Sequence, residues 1–366
     1  MNLETILLIL TLVLGAMGWA VLGRVKRCGA SGADQTDSAA QLSIVIPARN
    51  EELNLPRLLS SLAAQTIRPR ETIVVDDAST DRTALVAREH GARVVASAPL
   101  PEGWRGKTWA CHQGAAAAAG DLFLFLDADT WFAPEGLRRV LSEFEAAGGG
   151  ALSVAPHHAV EKFHEQFSAF FNLVMLAGTG AFTLRGDRHA PRGLLGQFLL
   201  IERTAYQRGG GHEAVKGRIL ENFWLAERLR AAGVLLRCRG GQGVFSFRMY
   251  PQGWREVVDG WTKGFASGAG QTPLPILLLV IAWMFGLMSA PLGVVLASQP
   301  LAWLAAYALA VGQVAALLWR VGTFHWGTAL FYPLPLMFYF AVFARSVSRA
   351  RNKQTVAWKG RQIRAD

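Results

Sequence analysis

The chain has 366 residues, of which 51% are hydrophobic and 17% are charged, with a mean hydropathy of +0.24. This composition excludes a disordered chain, which would be poor in apolar residues, and it falls below the roughly 25% of charged residues in an ordinary soluble domain. A formal net charge of +10 leaves a basic excess to be located, and the length allows about two domains.

The first apolar segment, Ile6–Leu22, has no charged residue and is followed at once by Arg24 and Lys26. Its length is close to the minimum that crosses a bilayer. Positive residues after the apolar run favour an uncleaved anchor over a signal peptide, and they favour a cytoplasmic position for that end. We therefore predict a transmembrane anchor at 1–27, followed by a small, polar linker at 28–41.

Short apolar runs then alternate with helical stretches. The predicted strands are Leu42–Ile46, Thr72–Val75, Ala92–Ala96 and Leu122–Leu126, and the predicted helices are Leu53–Gln65, Thr83–His90 and Thr108–Ala119. This alternation predicts βαβ units and a mostly parallel sheet, and continuously apolar strands indicate burial on both faces. We expect an α/β fold for a cytoplasmic domain at 42–270.

Polar and acidic residues follow three of these strands, at the edge where α/β sheets bind their ligands. These segments are Pro47–Glu52, Asp76–Asp81 and Asp127–Asp129. Neither GxGxxG nor GxxxxGK[ST] occurs, so dinucleotide and P-loop sites lose their main support. Paired carboxylates at strand ends suit a divalent cation that binds a diphosphate, and we expect the four aspartates to gather around one cation. The alternative is that Asp127–Asp129 caps a following helix.

The motifs IVIPARNEE, VVDDASTD and FLDADT, in this order, resemble those of family 2 glycosyltransferases with a GT-A fold, over roughly Leu42–Gly233. The resemblance implies a nucleotide-sugar donor, inversion at the anomeric carbon, and Mg²⁺ or Mn²⁺ as cofactor. The residues that it implies at the donor are Pro47, Arg49, Glu51, Asp76, Asp77 and Asp127, with Asp127 and Asp129 at the metal and Asp129 also catalytic.

Finer segments resemble membrane glycosyltransferases of the carotenoid-acid (diaponeurosporenoate) type, with hopanoid-associated enzymes second. They are Pro99–Ala110, Arg248–Ala269 and Trp358–Arg361. This resemblance implies transfer of a hexose such as glucose from a UDP-sugar to a lipophilic terpenoid acceptor. Arg105 and Lys107 lie in the first segment and would neutralise the departing diphosphate, although a solvated loop is the alternative.

The sequence departs from the family pattern at the catalytic base. Family 2 enzymes usually carry a Glu-Asp pair whose Asp is the base, whereas this chain has Glu221-Asn222. An amide is no useful proton acceptor, so Glu221 is the candidate base. Alternatively, a carboxylic-acid acceptor is already ionised near pH 7 and attacks without a strong base, giving a glycosyl ester. The QxxRW motif is also absent in its usual form, since Gln252–Arg255 has a different spacing.

The apolar stretch Phe163–Leu184 predicts an interfacial helix at the bilayer surface, with a core helix as the alternative. A full crossing is rejected because it would separate the strand-end aspartates from Glu221. Trp254 and Trp261 indicate a second interfacial stretch beside the acceptor, unless they pack on the sheet. We also expect His212, which precedes Glu221 in the chain, on the acceptor side.

From Gly264 to Trp319 the chain has no charged residue, and it contains two candidate spans, Ile276–Ala297 and Leu301–Trp319. A third apolar run, about Gly327–Ala344, includes two prolines and predicts a broken or re-entrant helix. Such a break would keep the basic tail on the same side as the domain. We expect transmembrane segments within 271–344 and a cytoplasmic tail at 345–366, and thus a multi-pass protein of the cell membrane.

The basic excess belongs to the membrane boundary, where anionic headgroups attract it, and no basic helix interleaved with aromatic residues supports nucleic-acid binding. Cys28, Cys111 and Cys238 have no CxxC spacing and are expected as reduced thiols. Other functions stay open. A polysaccharide synthase would share the aspartates, and a non-catalytic nucleotide-sugar binder would be consistent with Asn222. A transporter would need ionisable residues in its spans, and the sequence has none there except His325 at an edge.

Overall fold

The computed structural model describes residues 1–29, 39, 41–218, 220–262, 270–351, 355–358 and 361–364. Most of the linker predicted at 28–41, the end of the segment Arg248–Ala269 and part of Trp358–Arg361 lie outside the described residues.

The described helices and strands follow the predicted alternation through the first half of the chain. The α-helices are α1 Leu3–Leu22, α2 Leu55–Ala63, α3 Thr83–Glu89, α4 Gly106–Ala117, α5 Gly136–Ala146, α6 Ala169–Gly178, α7 Arg203–Arg208, α8 Glu221–Ala231, α9 Trp254–Thr262, α10 Leu274–Leu296, α11 Pro300–Val321, α12 Trp326–Leu330 and α13 Pro333–Arg351. The strands are β1 Leu42–Ala48, β2 Glu71–Asp76, β3 Arg93–Ala96, β4 Leu122–Leu126, β5 Thr130–Phe132, β6 Ala151–Ala155, β7 His157–His158, β8 Phe198–Glu202, β9 Leu236–Gly240, β10 Phe245–Phe247, β11 Thr355–Trp358 and β12 Arg361–Arg364.

The main sheet has the strand order β3-β2-β1-β4-β8-β6-β9. Its first four strands are parallel, and β8 runs antiparallel to both β4 and β6. The fold class is therefore the predicted α/β GT-A sheet, mostly parallel. Because β1, β2 and β4 run in one direction, their polar carboxyl ends meet at the same edge. Since β8 runs the other way, its first residues reach that edge too, and Gln197 accepts the Asp127 backbone N–H at 3.2 Å.

Both faces of the sheet are covered, as the continuously apolar strands predict. Ile44 and Leu124 point to the side covered by α2 and α5, whereas Val45 and Phe125 point to the side covered by α4. Gly114 of α4 allows this close packing, because a Cβ there would lie 2.3 Å from Val45 Cγ1. Complete burial of such side chains stabilises the fold by about 1.5–3 kcal/mol each, so the sheet rigidly positions the loops at its edge.

A small second sheet, β5-β10-β7, lies beside that edge. Strand β10 is antiparallel to β5, which directly follows the Asp127–Asp129 motif. The chain leaving β10 therefore passes Asp129, and the Arg248 backbone N–H donates to the Asp129 carbonyl at 3.3 Å. Two segments that are distant in sequence thus meet at the predicted site.

In the described part of the chain, three helices are long and apolar enough to cross a membrane, namely α1, α10 and α11. Helix α1 packs along α10 and also contacts α11. At one end of the bundle the Glu4 carboxylate accepts the Gln299 backbone N–H at 2.9 Å, and at the other Arg320 donates to the Gly23 carbonyl at 3.0 Å. Helices α1 and α11 therefore end together, next to the α/β domain.

The third apolar run is broken, as its prolines predict. Helix α12 ends at Leu330 and α13 begins at Pro333. Pro333 and Pro335 lie in the first turn of α13, where a missing N–H removes no helical hydrogen bond. Helix α13 packs on α9, and Arg345 donates to the Asp259 carboxylate at 3.1 Å. This helix therefore lies against the α/β domain.

The stretch Phe163–Leu184, predicted to be interfacial, forms a 3₁₀ helix at Phe163–Ser168 followed by α6. Helix α6 is largely buried, and it contacts α1, α10, α11 and α13 as well as the domain. The core-helix alternative therefore describes α6, whereas Phe163 at the start of the stretch is 75% exposed.

Candidate functional site

The carboxyl ends of β1 and β4 form one wall of a narrow cleft, and the starts of α4 and α8 form the other. The residues lining this cleft are Pro47, Lys107, Cys111, Phe125, Leu126, Asp127, Gly196, Leu199, His212, Glu221 and Asn222. The fold thus brings together predicted residues from four separate segments of the chain.

Lys107 occupies the centre of the cleft. Its Nζ lies 2.6 Å from Asp127 Oδ1 and 3.7 Å from Glu221 Oε1, and it donates to the Gly196 carbonyl at 3.1 Å. Burial disfavours the ammonium, but the carboxylates of Asp127 and Glu221 outweigh this and raise the pKa of Lys107 above its usual value. The Lys107 ammonium is therefore charged at physiological pH, and it lies between the Asp127 carboxylate and Glu221, the candidate base.

Asn222 holds the neighbouring glutamate. Its Nδ2 donates to Glu221 Oε1 at 2.9 Å, and its side chain is buried against Gly196. A Cβ on Gly196 would lie 2.4 Å from that Nδ2, so only glycine fits there without a shift. The amide that departs from the family pattern thus supplies a donor, where a second carboxylate would repel Glu221.

The Asp127–Asp129 motif does not cap a helix. Strand β5 follows it directly, and the next helix, α5, begins at Gly136 with Glu135 as its N-cap residue. Thr130 Oγ1 donates to the Asp127 carbonyl at 2.6 Å and closes the turn. The capping alternative is therefore wrong for the helix that follows the motif.

The loops after β1 and β2 bind each other through their predicted donor residues. Arg49 donates to the Asp77 carbonyl at 2.6 Å, and the Glu51 backbone N–H donates to Thr83 Oγ1 at 2.7 Å. Asp76 Oδ1 accepts the Ser79 backbone N–H at 3.1 Å. These contacts give the two loops one defined surface at the sheet edge.

The expectation that four aspartates share one cation is wrong. Among the described residues, no group of three or more His, Cys, Asp or Glu side chains is placed to hold a metal ion. Asp76 instead caps its own turn. Asp127 and Asp129 are two hard oxygen ligands, and that number fits Mg²⁺ or Mn²⁺ sites in which substrate phosphates complete the coordination. Asp127 Oδ1 already lies 2.6 Å from the Lys107 ammonium, so a metal ion held by Asp127 would share that carboxylate with Lys107.

His212 lies in the same cleft as Lys107, on the sheet side. It is buried, with its ring 4.8 Å from that of Phe125 and its Nδ1 2.9 Å from Tyr206 Oη. Burial, with a smaller effect of the Lys107 charge, lowers the pKa of His212 to about 3. The imidazole is therefore neutral at physiological pH and helps to pack the floor of the cleft.

The protein is expected to lose stability in mild acid because burial also lowers the pKa of His158 to about 3. The unfolded chain takes up a proton below about pH 6.5, so stability is complete above that pH and is lost as the pH falls towards 3. The slope is at most about 1.4 kcal/mol per pH unit for each such histidine. We expect His158→Gln to flatten the fall in melting temperature between pH 7 and 5. The exposed His189→Gln should leave it unchanged, and an unaltered slope in His158→Gln would contradict this assignment.

Trp254 and Trp261 lie on the side of the domain that faces the spanning helices. Trp261 is buried, stacks on Phe171 at 4.8 Å and donates to Ser168 Oγ at 3.0 Å. Trp254 is 45% exposed and packs against Phe167. Trp261 also lines an apolar cavity of about 340 Å³ between the domain and α10.

Sequence analysis did not select Tyr250 and Leu220, which line the apolar cavity beside the cleft. Both have the left-handed backbone conformation that side chains rarely adopt, with φ of 60° and 53°. Asn50 and Ala78, in the loops after β1 and β2, share this conformation. Such strain concentrates at functional sites, but no residue type in the sequence signals it at Leu220 or Ala78. Arg105, expected at the diphosphate, donates through Nε to the Gly217 carbonyl and so joins the two loops beside the cleft.

Comparisons with known proteins identify the family and the fold of this chain. Residues 43–206 match the family model Glycosyl transferase family 2. The chain is 34% identical over 329 residues to 4,4'-diaponeurosporenoate glycosyltransferase of Staphylococcus aureus (strain USA300), covering 88% of each chain. Its fold is similar to that of mannosyltransferase PcManGT from Pyrobaculum calidifontis in complex with GDP-Man and Mn²⁺, with a TM-score of 0.51 and 17% identity over 93% of this chain and 97% of that one.

Proposed function

This chain belongs to glycosyl transferase family 2, and on that premise we propose that it transfers glucose from a UDP-sugar to a lipophilic terpenoid acid at a membrane, with inversion. The observation that carries the proposal is the position of the cleft. The carboxylates of Asp127 and Glu221 meet around Lys107, directly beside an apolar cavity that borders a membrane-spanning helix. The cleft with the charged residues for sugar transfer therefore adjoins a cavity that suits a lipophilic substrate.

On the donor side, the paired loops after β1 and β2 would bind the nucleoside through Pro47, Arg49, Glu51 and Asp77. Asp127 and Asp129 would hold Mg²⁺ or Mn²⁺, which neutralises charge on the diphosphate when bound. Lys107, beside Asp127, adds a fixed positive charge where the leaving group becomes more negative. The chain's own residues therefore favour departure of UDP.

On the acceptor side, a carboxylic acid suits the observed base region. Such an acceptor is ionised near neutral pH, so one carboxylate oxygen forms a bond to the anomeric carbon as the bond to the diphosphate breaks and UDP leaves with the electron pair. The product is a glycosyl ester, and no proton has to be removed. Glu221, held by Asn222, would be required only when the acceptor is a hydroxyl group.

The arrangement of the helices supports a membrane protein whose cleft faces the cytoplasm. With α1, α10 and α11 crossing, and α13 lying against the domain, the domain falls on the same side as Arg345 and Arg349 of α13. The positive residues after α1 and in α13 then agree with the positive-inside tendency. The topological conflict that a third C-terminal crossing would create does not arise.

The proposal is tested with the purified full chain in lipid nanodiscs. We expect UDP-glucose with Mn²⁺ to give UDP and an organic-soluble glucose product from all-trans-retinoic acid, and a lower rate from retinol, which differs in its head group. Label in a water-soluble polymer would instead identify a polysaccharide synthase. Binding of UDP without release from any UDP-sugar, on either acceptor, would identify a non-catalytic binder.

A further inference from the structure

The apolar cavity is formed where the domain meets the membrane-associated helices. Its walls come from α6, α9, α10 and α13, together with residues at the start of α8. At about 340 Å³ it lies within the range of small-molecule sites. The described lining is mostly apolar, with hydroxyl groups at Tyr250, Thr272 and Tyr339.

The inner end of the cavity lies at the cleft. Leu220 and Phe223, which flank Glu221 and Asn222 in the chain, both line it. Tyr250 lines it as well, and burial together with the nearby charge of Asp129 raises the pKa of its hydroxyl, which stays protonated. A ligand with its apolar body in this cavity would therefore have its polar end next to the carboxylates of the cleft.

The outer end of the cavity faces the lipid side of the spanning helices. Ile281 of α10 and Phe340 of α13 line the cavity and are 42% and 38% exposed. Nearby on α10, Leu278 and Phe285 are more exposed and belong to its lipid-facing surface. The cavity thus has an apolar opening on the surface that a bilayer would cover, and a polar end at the cleft.

We propose that this cavity binds the extended hydrocarbon chain of the acceptor, which enters from the bilayer between α10 and α13 and presents its carboxylate at Tyr250, at the inner end of the cavity. This assignment rests on the proposed function and names the site that the acceptor uses. Tyr250, as a neutral donor, suits a carboxylate at this end, whereas the rest of the lining is mostly apolar. A phospholipid acyl chain shares the hydrocarbon chemistry, but we do not expect its head group to bind in the cleft.

The test uses a substitution that narrows the opening of the cavity and leaves the residues of the cleft unchanged. Ile281→Trp adds bulk at the cavity mouth, and the matched control Leu278→Trp adds the same bulk three residues earlier on the same helix, outside the cavity lining. Two measurements are made in nanodiscs: equilibrium binding of radiolabelled retinoic acid, and transfer kinetics with retinoic acid and with the short polyene sorbic acid. Binding of UDP and the melting temperature confirm that each variant is folded.

We expect Ile281→Trp to weaken retinoic acid binding and raise its KM by at least about tenfold, which corresponds to about 1.4 kcal/mol. Transfer to sorbic acid and binding of UDP should stay within twofold of the parent, and Leu278→Trp should match the parent throughout. Equal effects of the two substitutions, or equal loss on both acids, would overturn the cavity assignment. Photolabelling of cavity residues by a diazirine phosphatidylcholine that retinoic acid fails to displace would assign the cavity to a bilayer lipid instead.

The two proposals can fail separately. If the parent binds retinoic acid and Ile281→Trp abolishes binding, but no sugar is transferred, the cavity assignment stands and the proposed function falls. If sugar is transferred while Ile281→Trp binds retinoic acid as the parent does, the acceptor uses another site and the cavity assignment falls.

Discussion

Asp127→Asn is expected to lower the rate of UDP release with UDP-glucose and retinoic acid by about 10³-fold. The reason is electrostatic: the substitution removes one of two carboxylates proposed to hold the divalent cation, and the loss of one such preorganised charge interaction typically costs 10²–10³-fold or more. It also removes the negative charge that Lys107 contacts at 2.6 Å, so Glu221 would be the only carboxylate left beside the ammonium.

The matched control is Asp121→Asn, at the opposite end of β4, where the side chain is 77% exposed beside Arg203. We expect this control to keep the parental rate, and both variants to keep the parental helical content by circular dichroism. If Asp127→Asn transferred glucose at a rate within tenfold of the parental rate, the sheet edge would not be part of the catalytic site.

The second large effect depends on the acceptor. Glu221→Gln is expected to lower transfer to retinol by about 10²–10⁴-fold, the range that a general base contributes, because a hydroxyl acceptor needs its proton removed. Transfer to retinoic acid should stay within about tenfold of the parent, because that nucleophile is already ionised. The measurement is the initial rate with each acceptor at saturating UDP-glucose.

Glu227→Gln provides the control, since Glu227 lies on the same helix α8 and is exposed. It should leave both rates unchanged. An equal loss with retinol and retinoic acid in Glu221→Gln would show that Glu221 acts on the acid as well, and the reaction without a base would then be excluded.

The strand ends could be predicted because burial leaves a clear pattern. Strands covered on both faces must be largely apolar, so the first polar residue after each one marks the sheet edge, as at Arg49 and Asp127. Lys107 was expected near the departing diphosphate because two cations in a Gly-flanked loop suit a phosphate group, and this role stays a prediction. Its contact with Glu221 could not be predicted, since it depends on how the first turn of α4 meets the start of α8.

Other features carry no such pattern. The direction of β8 is not encoded by its apolar run Phe198–Ile201, which reads the same in a parallel or an antiparallel strand. We expected the four aspartates to lie together because they share one edge of the sheet. The Asp76 carboxylate instead accepts the Ser79 backbone N–H within its own turn. Asn222 was recognised as a poor base, but its hydrogen bond to Glu221 became visible only in the packed cleft.

Apolar composition also does not show whether a helix is surrounded by lipid or packed against other parts of the protein. Helix α6 is as apolar as a membrane segment, but the described structure buries it among α10, α11 and α13. The cavity beside it is equally invisible in sequence, because its lining comes from segments between Val174 and Phe343. Only the folded arrangement reveals that an apolar space adjoins the charged cleft.

The most direct test of the account is an anomalous diffraction map of crystals of the full chain grown with UDP and Mn²⁺. The account predicts a manganese peak between Asp127 and Asp129, with the diphosphate next to Lys107 and the uracil at the loops after β1 and β2. A manganese or UDP position away from this sheet edge, with Lys107 still bound to Asp127, would contradict it.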